Sequence, residues 1–415
     1  MHNLPTALKN IVACVERKIA PRLAELDQQA LANEDKVLAA FQAEQVAESD
    51  LIGSTGYGTN DEGRDKLDRI WARIFKTEDA LVRSQFVSGT HTIATAMSGN
   101  LLPGDELIYL TGMPYDTLQQ VIGIAGHQPG SLKDYGIQFD YVPLKNDAVD
   151  ANRVQQVVAA SQPKMVVIQR SRGYATRPSL TVSEIRKLIA LVRRVSPQTI
   201  ILIDNCYGEF SELHEPTEYG ADLMAGSLIK NGGGGYAKTG GYIVGKHELI
   251  ERAANRLTCA GIGREEGASL GNNRDYYQGL FVAPEITANA IKGAVYTAAL
   301  LAEVGETVSP LWDEARTDLI QTAVFNDRTK MIKFAQVLQQ NSPVNAFVEP
   351  IPSNQDGYED QIIMAGGSFV NGATVEFSGD GPIRPPYALY LQGGLTFVHI
   401  KLAITNTVAQ LYFNN

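Results

Sequence analysis

The chain has 415 residues, 44% of them hydrophobic and 20% charged, with a net charge of −10 and a pI of about 5.2. That is ordinary globular composition, long enough for two or three domains, and the acidic balance argues against nucleic acid or an anionic membrane as the main partner. Cys14, Cys206 and Cys259 are far apart with no CxxC pair, so neither a disulfide framework nor a zinc site is indicated. They are expected to be reduced, buried or half-buried thiols. With no signal-type apolar core and no run long enough for a membrane span, the chain reads as cytoplasmic.

In chain order, residues 5–48 carry helical periodicity interrupted by Pro21, which predicts two amphipathic helices. A glycine-rich loop, LIGSTGYGTNDEGRD, precedes the helix-like DKLDRIWARIF. From about residue 79 the pattern alternates. The β-rich runs are 80–88, 106–112, 138–144, 164–170, 199–205 and 240–245, with helical segments such as HTIATAMSGNLL and SLTVSEIRKLIALVRRV between them. Strands that are apolar throughout, separated by helices, predict an α/β fold with a mainly parallel sheet covered on both faces. Residues 285–304 read as a long small-residue helix joining domains. A helix around 318–340 and strand-like EDQIIMAGGSFV, ATVEFSG and LTFVHIKLAI predict a smaller α+β C-terminal domain. The expected division is an N-terminal helical segment (1–50), a large domain (51–290), and a linking helix with a small domain (291–415).

The stretch SLIKNGGGGYAKTGGYIVGK (227–246) contains two candidate functional lysines. GGGGYAKT nearly matches a phosphate-binding GxxxxGK[ST], but Ala237 stands where the second glycine belongs. Lys238-Thr239 also leads into a strand-like segment, whereas such a loop must open a helix. Lys230 instead ends the apolar stretch ADLMAGSLIK, and a Schiff-base lysine needs such partial desolvation. Asp204 ends the apolar TIILID, and in open α/β sheets ligands bind at the carboxyl ends of strands. Ser88-Gly89-Thr90 lies between a strand and a helix, where the amides of Gly89 and Thr90 can bind a phosphate. Each feature alone is equally explained by an ordinary turn or helix cap. Phosphate loop, then acid, then lysine, in that order, is far more specific.

SGTHTIATA, GMPYDTLQQVIG, VVIQRSRGYATRPSL, DNCYGEFSE and GSLIKNGGGGYAKTGGYIVGK resemble the pyridoxal-phosphate proteins of the methionine gamma-lyase-like, or aluminium-resistance, family. The resemblance runs from about residue 50 to the end. It implies a fold-type I architecture and a carbon–sulfur lyase acting on a sulfur-containing amino acid by β- or γ-elimination. Other chemistry on the same cofactor (γ-replacement, transamination, aldol cleavage) and a catalytically silent cofactor-binding protein are the alternatives.

The resemblance implies that Lys230 holds pyridoxal phosphate covalently and serves as the base, and that Asp204 faces the pyridine nitrogen. It gives the phosphate to Ser88, Gly89, Thr90 and Ser227. Related lyases carry a hydroxyl residue before the lysine, and here that position is Ile229. Tyr115 would stack on the cofactor ring and assist proton transfer. Tyr57 would reach a neighbouring subunit's phosphate, which implies a homodimer or homotetramer; Arg64 departs from the usual Tyr-x-Arg spacing. Arg384 is read equally as a candidate for the substrate carboxylate, since a guanidinium offers a planar, two-pronged cation, and as a surface arginine before the Pro-Pro turn. Arg170 and Arg172 follow a strand and could line the cleft or make structural ion pairs. His91, His214 and His399 have no context that marks them as catalysts, and no metal site is expected.

Overall fold

The computed structural model describes residues 4–126 and 129–413. One long helix, α1 (Thr6–Ala43), is followed by α2 (Glu62–Ile74). Seven strands then form one sheet: β1 (Asp79–Arg83), β2 (Glu106–Tyr109), β3 (Gln138–Tyr141), β4 (Met165–Gln169), β5 (Ile200–Asp204), β6 (Leu223–Ser227) and β7 (Gly241–Gly245). Their spatial order is β1-β7-β6-β5-β4-β2-β3. Strand β7 is antiparallel to both its neighbours, and the other pairs are parallel. Five helices lie between or after these strands: α3 (Gly89–Asn100), α4 (Asp116–Ile122), α5 (Ala151–Ser161), α6 (Val182–Val195) and α7 (His247–Leu257).

Every residue of β4, β5 and β6 is buried, as a sheet covered on both faces requires. Helix α6 shows how the cover is built. Thr181 and Glu184 close a reciprocal capping box, Arg193 and Arg194 sit in the last turn, and Ile185, Leu188, Ile189 and Val192 face the core.

Beyond α8 (Asn273–Glu303) lie β8 (Thr307–Ser309), β9 (Gln321–Val324), α9 (Arg328–Gln339), β10 (Ile362–Ala365), β11 (Ser378–Pro382), β12 (Ala388–Gln392) and α10 (Phe397–Val408). Their strands form an antiparallel sheet in the order β10-β11-β12-β9-β8. Helices α1 and α8 each serve two cores. Val37, Ala40, Tyr277 and Leu280 pack with the large sheet, while Val15, Ile19, Ile291 and Leu300 pack with the small one. Among the described residues no helix is long and apolar enough to cross a membrane.

The α/β architecture matches the sequence reading, and several local expectations need correction. Pro21 lies inside α1 and does not break it. Ile19 and Leu26 on either side are buried in the second core, and such packing offsets the roughly 3 kcal/mol cost of an interior proline. The predicted helix around 318–340 begins as β9 and turns helical only after Asp327 caps α9. LTFVHIKLAI is mostly helix α10, started by the Thr396 hydroxyl accepting from the His399 amide. ATVEFSG reaches strand only at Ser378. Of the cysteines only Cys206 is buried; Cys14 and Cys259 are exposed.

Candidate active site

The parallel strands β4, β5 and β6 end on the same edge of the sheet, so their last residues, Gln169, Asp204 and Ser227, converge there. Helix α3 begins beside them. Its first residue, Gly89, has no side chain for a physical reason: a Cβ there would stand 3.2 Å from Ser227 Cβ and 3.3 Å from Cys206 Sγ. Ser88 caps α3 by accepting from the His91 amide. The Ser227 hydroxyl is buried and has no hydrogen-bond partner. A helix start and an unpartnered hydroxyl thus enclose a small polar cradle suited to an anion.

After β6 the chain turns through Lys230 into the glycine run. Those glycines serve close packing: a Cβ on Gly233 would lie 1.8 Å from the Leu228 carbonyl oxygen. Lys238 is exposed and ion-paired with Asp275 at 2.6 Å, and β7 follows it, so no helix opens after Lys238-Thr239.

Lys230 and Asp204 line one cleft together with Gly89, Thr90, Tyr115, Tyr207 and Asp380. The Lys230 amine lies 4.0 Å from the centroid of the Tyr207 ring. Tyr207 holds a left-handed φ of 71°, a strained conformation for a bulky residue and typical of functional sites. Burial alone pushes the Lys230 amine down, but the acidic groups of Cys206, Tyr207, Asp204 and Glu209 pull it up, and the net is above the ordinary lysine value. Burial pushes the Asp204 carboxyl up, opposed by the charge of Lys230 and by the Cys206 amide, which donates to it at 3.2 Å. The charges of Lys230 and Arg177 thus offset its burial only in part, and among the described residues Asp204 forms no direct ion pair.

Tyr115 sits at the start of α4, with its amide donating to Gln169 Oε1 at 3.1 Å. Its hydroxyl is 2.5 Å from that of Tyr358, and its ring packs against Gly173 and the Tyr174 ring. Sequence reasoning passed over Gln169, Tyr174, Tyr207, Tyr358 and Asp380. Only Gln169 carried a clear local signal, a polar residue ending an apolar strand just as Asp204 does.

The remaining candidates lie elsewhere. Arg384 does not line the Lys230 cleft. It is 41% exposed, pairs with Asp360 at 2.7 Å, and borders an adjoining cleft with Arg172 and Arg177. Tyr57 is 76% exposed and lines no part of the cleft within one chain. Arg64 donates to the carbonyls of Gly58 and Gly267, fixing the loop that carries Tyr57. Arg172 donates to Ser309 and Thr322. His91 accepts from the Val87 amide, His214 pairs with Glu218, and His399 contacts the Asn341 carbonyl.

Arg170 is fully buried and donates to Thr317, Asn205, Glu215, Ser211 and Glu212. It is a structural hub. Arg170→Ala strands the Glu215 carboxylate without its partner, and we expect a loss of about 3–5 kcal/mol in thermal or denaturant unfolding. An unchanged melting curve would refute the structural assignment.

A sequence profile described as methionine gamma-lyase matches residues 8–412. The uncharacterised protein YnbB of Bacillus subtilis strain 168 is 50% identical over 408 residues, covering 97% of this chain and 96% of that one. A crystal structure from Listeria monocytogenes strain 4b F2365, provisionally named a cystathionine beta-lyase involved in aluminium resistance, is 52% identical. It superposes with a TM-score of 0.94 over 96% of this chain and 99% of that one. At 16% identity, the pyridoxal-5'-phosphate-dependent protein YhfS of Escherichia coli shares the fold alone, with a TM-score of 0.61 over 94% of this chain and 97% of that one.

Proposed function

The chain belongs to the methionine gamma-lyase family, and we propose that it is a pyridoxal-phosphate-dependent lyase cleaving the carbon–sulfur bond of an amino acid by β- or γ-elimination. The observation that carries this reading is the buried, unpartnered Ser227 hydroxyl facing the side-chain-free start of α3, in the cleft region that also holds Lys230 and Asp204. These residues fit the cofactor. Ser227 and the amides of Gly89 and Thr90 would take the phosphate, and Asp204 would face the ring nitrogen. Lys230 would hold the cofactor covalently, and Tyr115 would pack on the ring. Ile229 supplies no hydroxyl, so the phosphate would depend on Ser227 and α3, with Ser88 positioned as the helix cap.

The bound cofactor supplies an electron sink for the substrate's α-carbon. The chain's own residues supply proton transfer and desolvation. The freed Lys230 amine takes the α-proton, and buried aromatic walls keep water from the reacting atoms. The Tyr115 hydroxyl, pushed well above the ordinary tyrosine value by burial and by Tyr358, stays protonated and can donate. The reading includes a cytoplasmic location and a homodimer or homotetramer in which Tyr57 reaches a neighbour's phosphate; Arg384, on the adjoining cleft, would have to leave Asp360 to meet the substrate carboxylate.

Methionine, cystathionine, cysteine and homocysteine, assayed for keto-acid release, test it. Product from at least one, above a Lys230→Ala control, is expected; product from none removes the lyase assignment. A second expectation concerns the cradle. Gly89→Ala fills it with a methyl group but meets no backbone atom. Cofactor affinity should fall about tenfold, or about 1.4 kcal/mol, in an absorbance titration. Melting of the cofactor-free protein should fall only modestly, since the new methyl presses on the Ser227 and Cys206 side chains. Unaltered affinity would place the phosphate elsewhere.

A further inference from the structure

Across the cleft from Asp204, the small antiparallel sheet contributes one charged side chain that no role above uses. Asp380 stands in the middle of β11 and lines the cleft with Lys230 and Tyr115. The Tyr174 hydroxyl donates to Asp380 Oδ2, and Gln392 Nε2 donates to Oδ1 at 2.7 Å. Among the described residues no lysine, arginine or histidine forms an ion pair with it, and the cleft's charged side chains are Lys230, Asp204 and Asp380. The groups facing Asp380 are Lys230 and the hydroxyls of Tyr115, Tyr174, Tyr207 and Tyr358. Burial raises its carboxyl to about 6, against the Tyr174 hydrogen bond and the Lys230 charge, which both lower it. A thiolate, by contrast, leaves as a base, with the ordinary thiol near 8.5, and needs a proton.

We propose that Asp380 is a further catalytic residue, the acid that protonates the departing sulfur. The inference rests on the carbon–sulfur lyase reading. As the carbon–sulfur bond breaks, its electron pair stays on sulfur. The O–H bond of the Asp380 carboxyl breaks and an S–H bond forms, releasing a thiol. The resulting carboxylate is held by Tyr174 and Gln392 until water returns the proton.

The test compares two leaving groups in wild type and Asp380→Asn. One is the thiol of a thioether amino acid that the wild type accepts. The other is the chloride of β-chloroalanine, which departs without a proton. Asp380→Asn should lower thioether turnover by about a hundredfold, within the range of a general acid, and leave β-chloroalanine turnover unchanged. The wild-type ratio of thioether to chloride rates should fall as pH rises through the acid's titration, and the variant's ratio should be flat. Equal losses on both substrates, or no loss on either, would overturn the proposal. A wild type inert toward both would instead overturn the lyase reading, and the proposal with it.

A readout independent of activity is the infrared band of a protonated carboxyl in the cofactor-free protein. In the difference between wild type and Asp380→Asn, which cancels the raised carboxyls of Glu34 and Glu209, one such band should titrate near pH 6; a carboxyl already ionised at about pH 5 contradicts the assignment. Should Asp380→Asn fail to fold, Tyr174→Phe decides. Loss of a donor to the carboxylate should move the wild-type pH limb to more alkaline values, and an unmoved limb sinks the idea.

Discussion

Lys230→Ala is expected to lower keto-acid release by about 10⁴ or more, the upper range for a proton-transferring group, because on the proposed reading it removes both the covalent attachment and the base. The loss should be chemical rather than structural. The turn carrying Lys230 is fixed by backbone packing, since Gly233 sits against the Leu228 carbonyl and the Asn231 side chain donates to the carbonyls of Tyr207 and Glu209. The lysine amine makes one ring contact, with Tyr207. Circular dichroism of the variant should therefore resemble wild type, with any fall in melting temperature traceable to the lost charge beside Asp204. Its absorbance with added pyridoxal phosphate should lack the band of a lysine-bound cofactor. A variant that retains a tenth of wild-type turnover would move the chemistry to another residue.

Asp204→Asn preserves shape and removes a charge, and the expected loss of turnover is about a hundredfold to a thousandfold, or about 3–4 kcal/mol, as for truncating a buried charge pair. The physical case lies in the environment of Asp204. Burial lifts its carboxyl above the ordinary aspartate value, with Lys230 the leading opposing influence. A protonated ring nitrogen would be the missing partner, and an amide cannot hold that proton by charge. The same environment fixes a sign in the cofactor-free protein. A carboxyl raised by folding adds stability below its unfolded titration and loses it as pH rises through the folded one. The melting temperature of wild type relative to Asp204→Asn should thus decline with rising pH. A rising difference would mean that the folded carboxylate has a cationic partner within the chain strong enough to offset burial.

How far the sequence reached depended on how local each signal was. Strands β4 and β5 are unbroken apolar runs, so their existence and the acid ending one of them were visible. Strand β6 reads LMAGS and was hidden by its small residues, although it delivers Ser227 and Lys230. The β-branched run in LTFVHIKLAI fits either period, and its helix is decided by the Thr396 cap and by packing of Ile400 and Ile404 in the second core. Gly89, Asp204 and Lys230 could be found because strand-end geometry converts chain order into spatial position. Asp380 could not. Its strand reads SGDGP, which has little β-propensity, and its meaning depends on Tyr174 and Lys230, far away in the chain. Arg384, in the neighbouring turn, was the more conspicuous charge, yet its side chain pairs with Asp360 outside the Lys230 cleft.

The central claim is that Lys230 carries pyridoxal phosphate, and borohydride reduction followed by peptide mapping tests it most directly. The wild-type protein loaded with pyridoxal phosphate should lose its visible band on reduction and yield one modified peptide, with the added mass on Lys230. Lys230→Ala should give no such peptide. No band and no adduct, or an adduct confined to Lys238 or a surface lysine, would contradict the account.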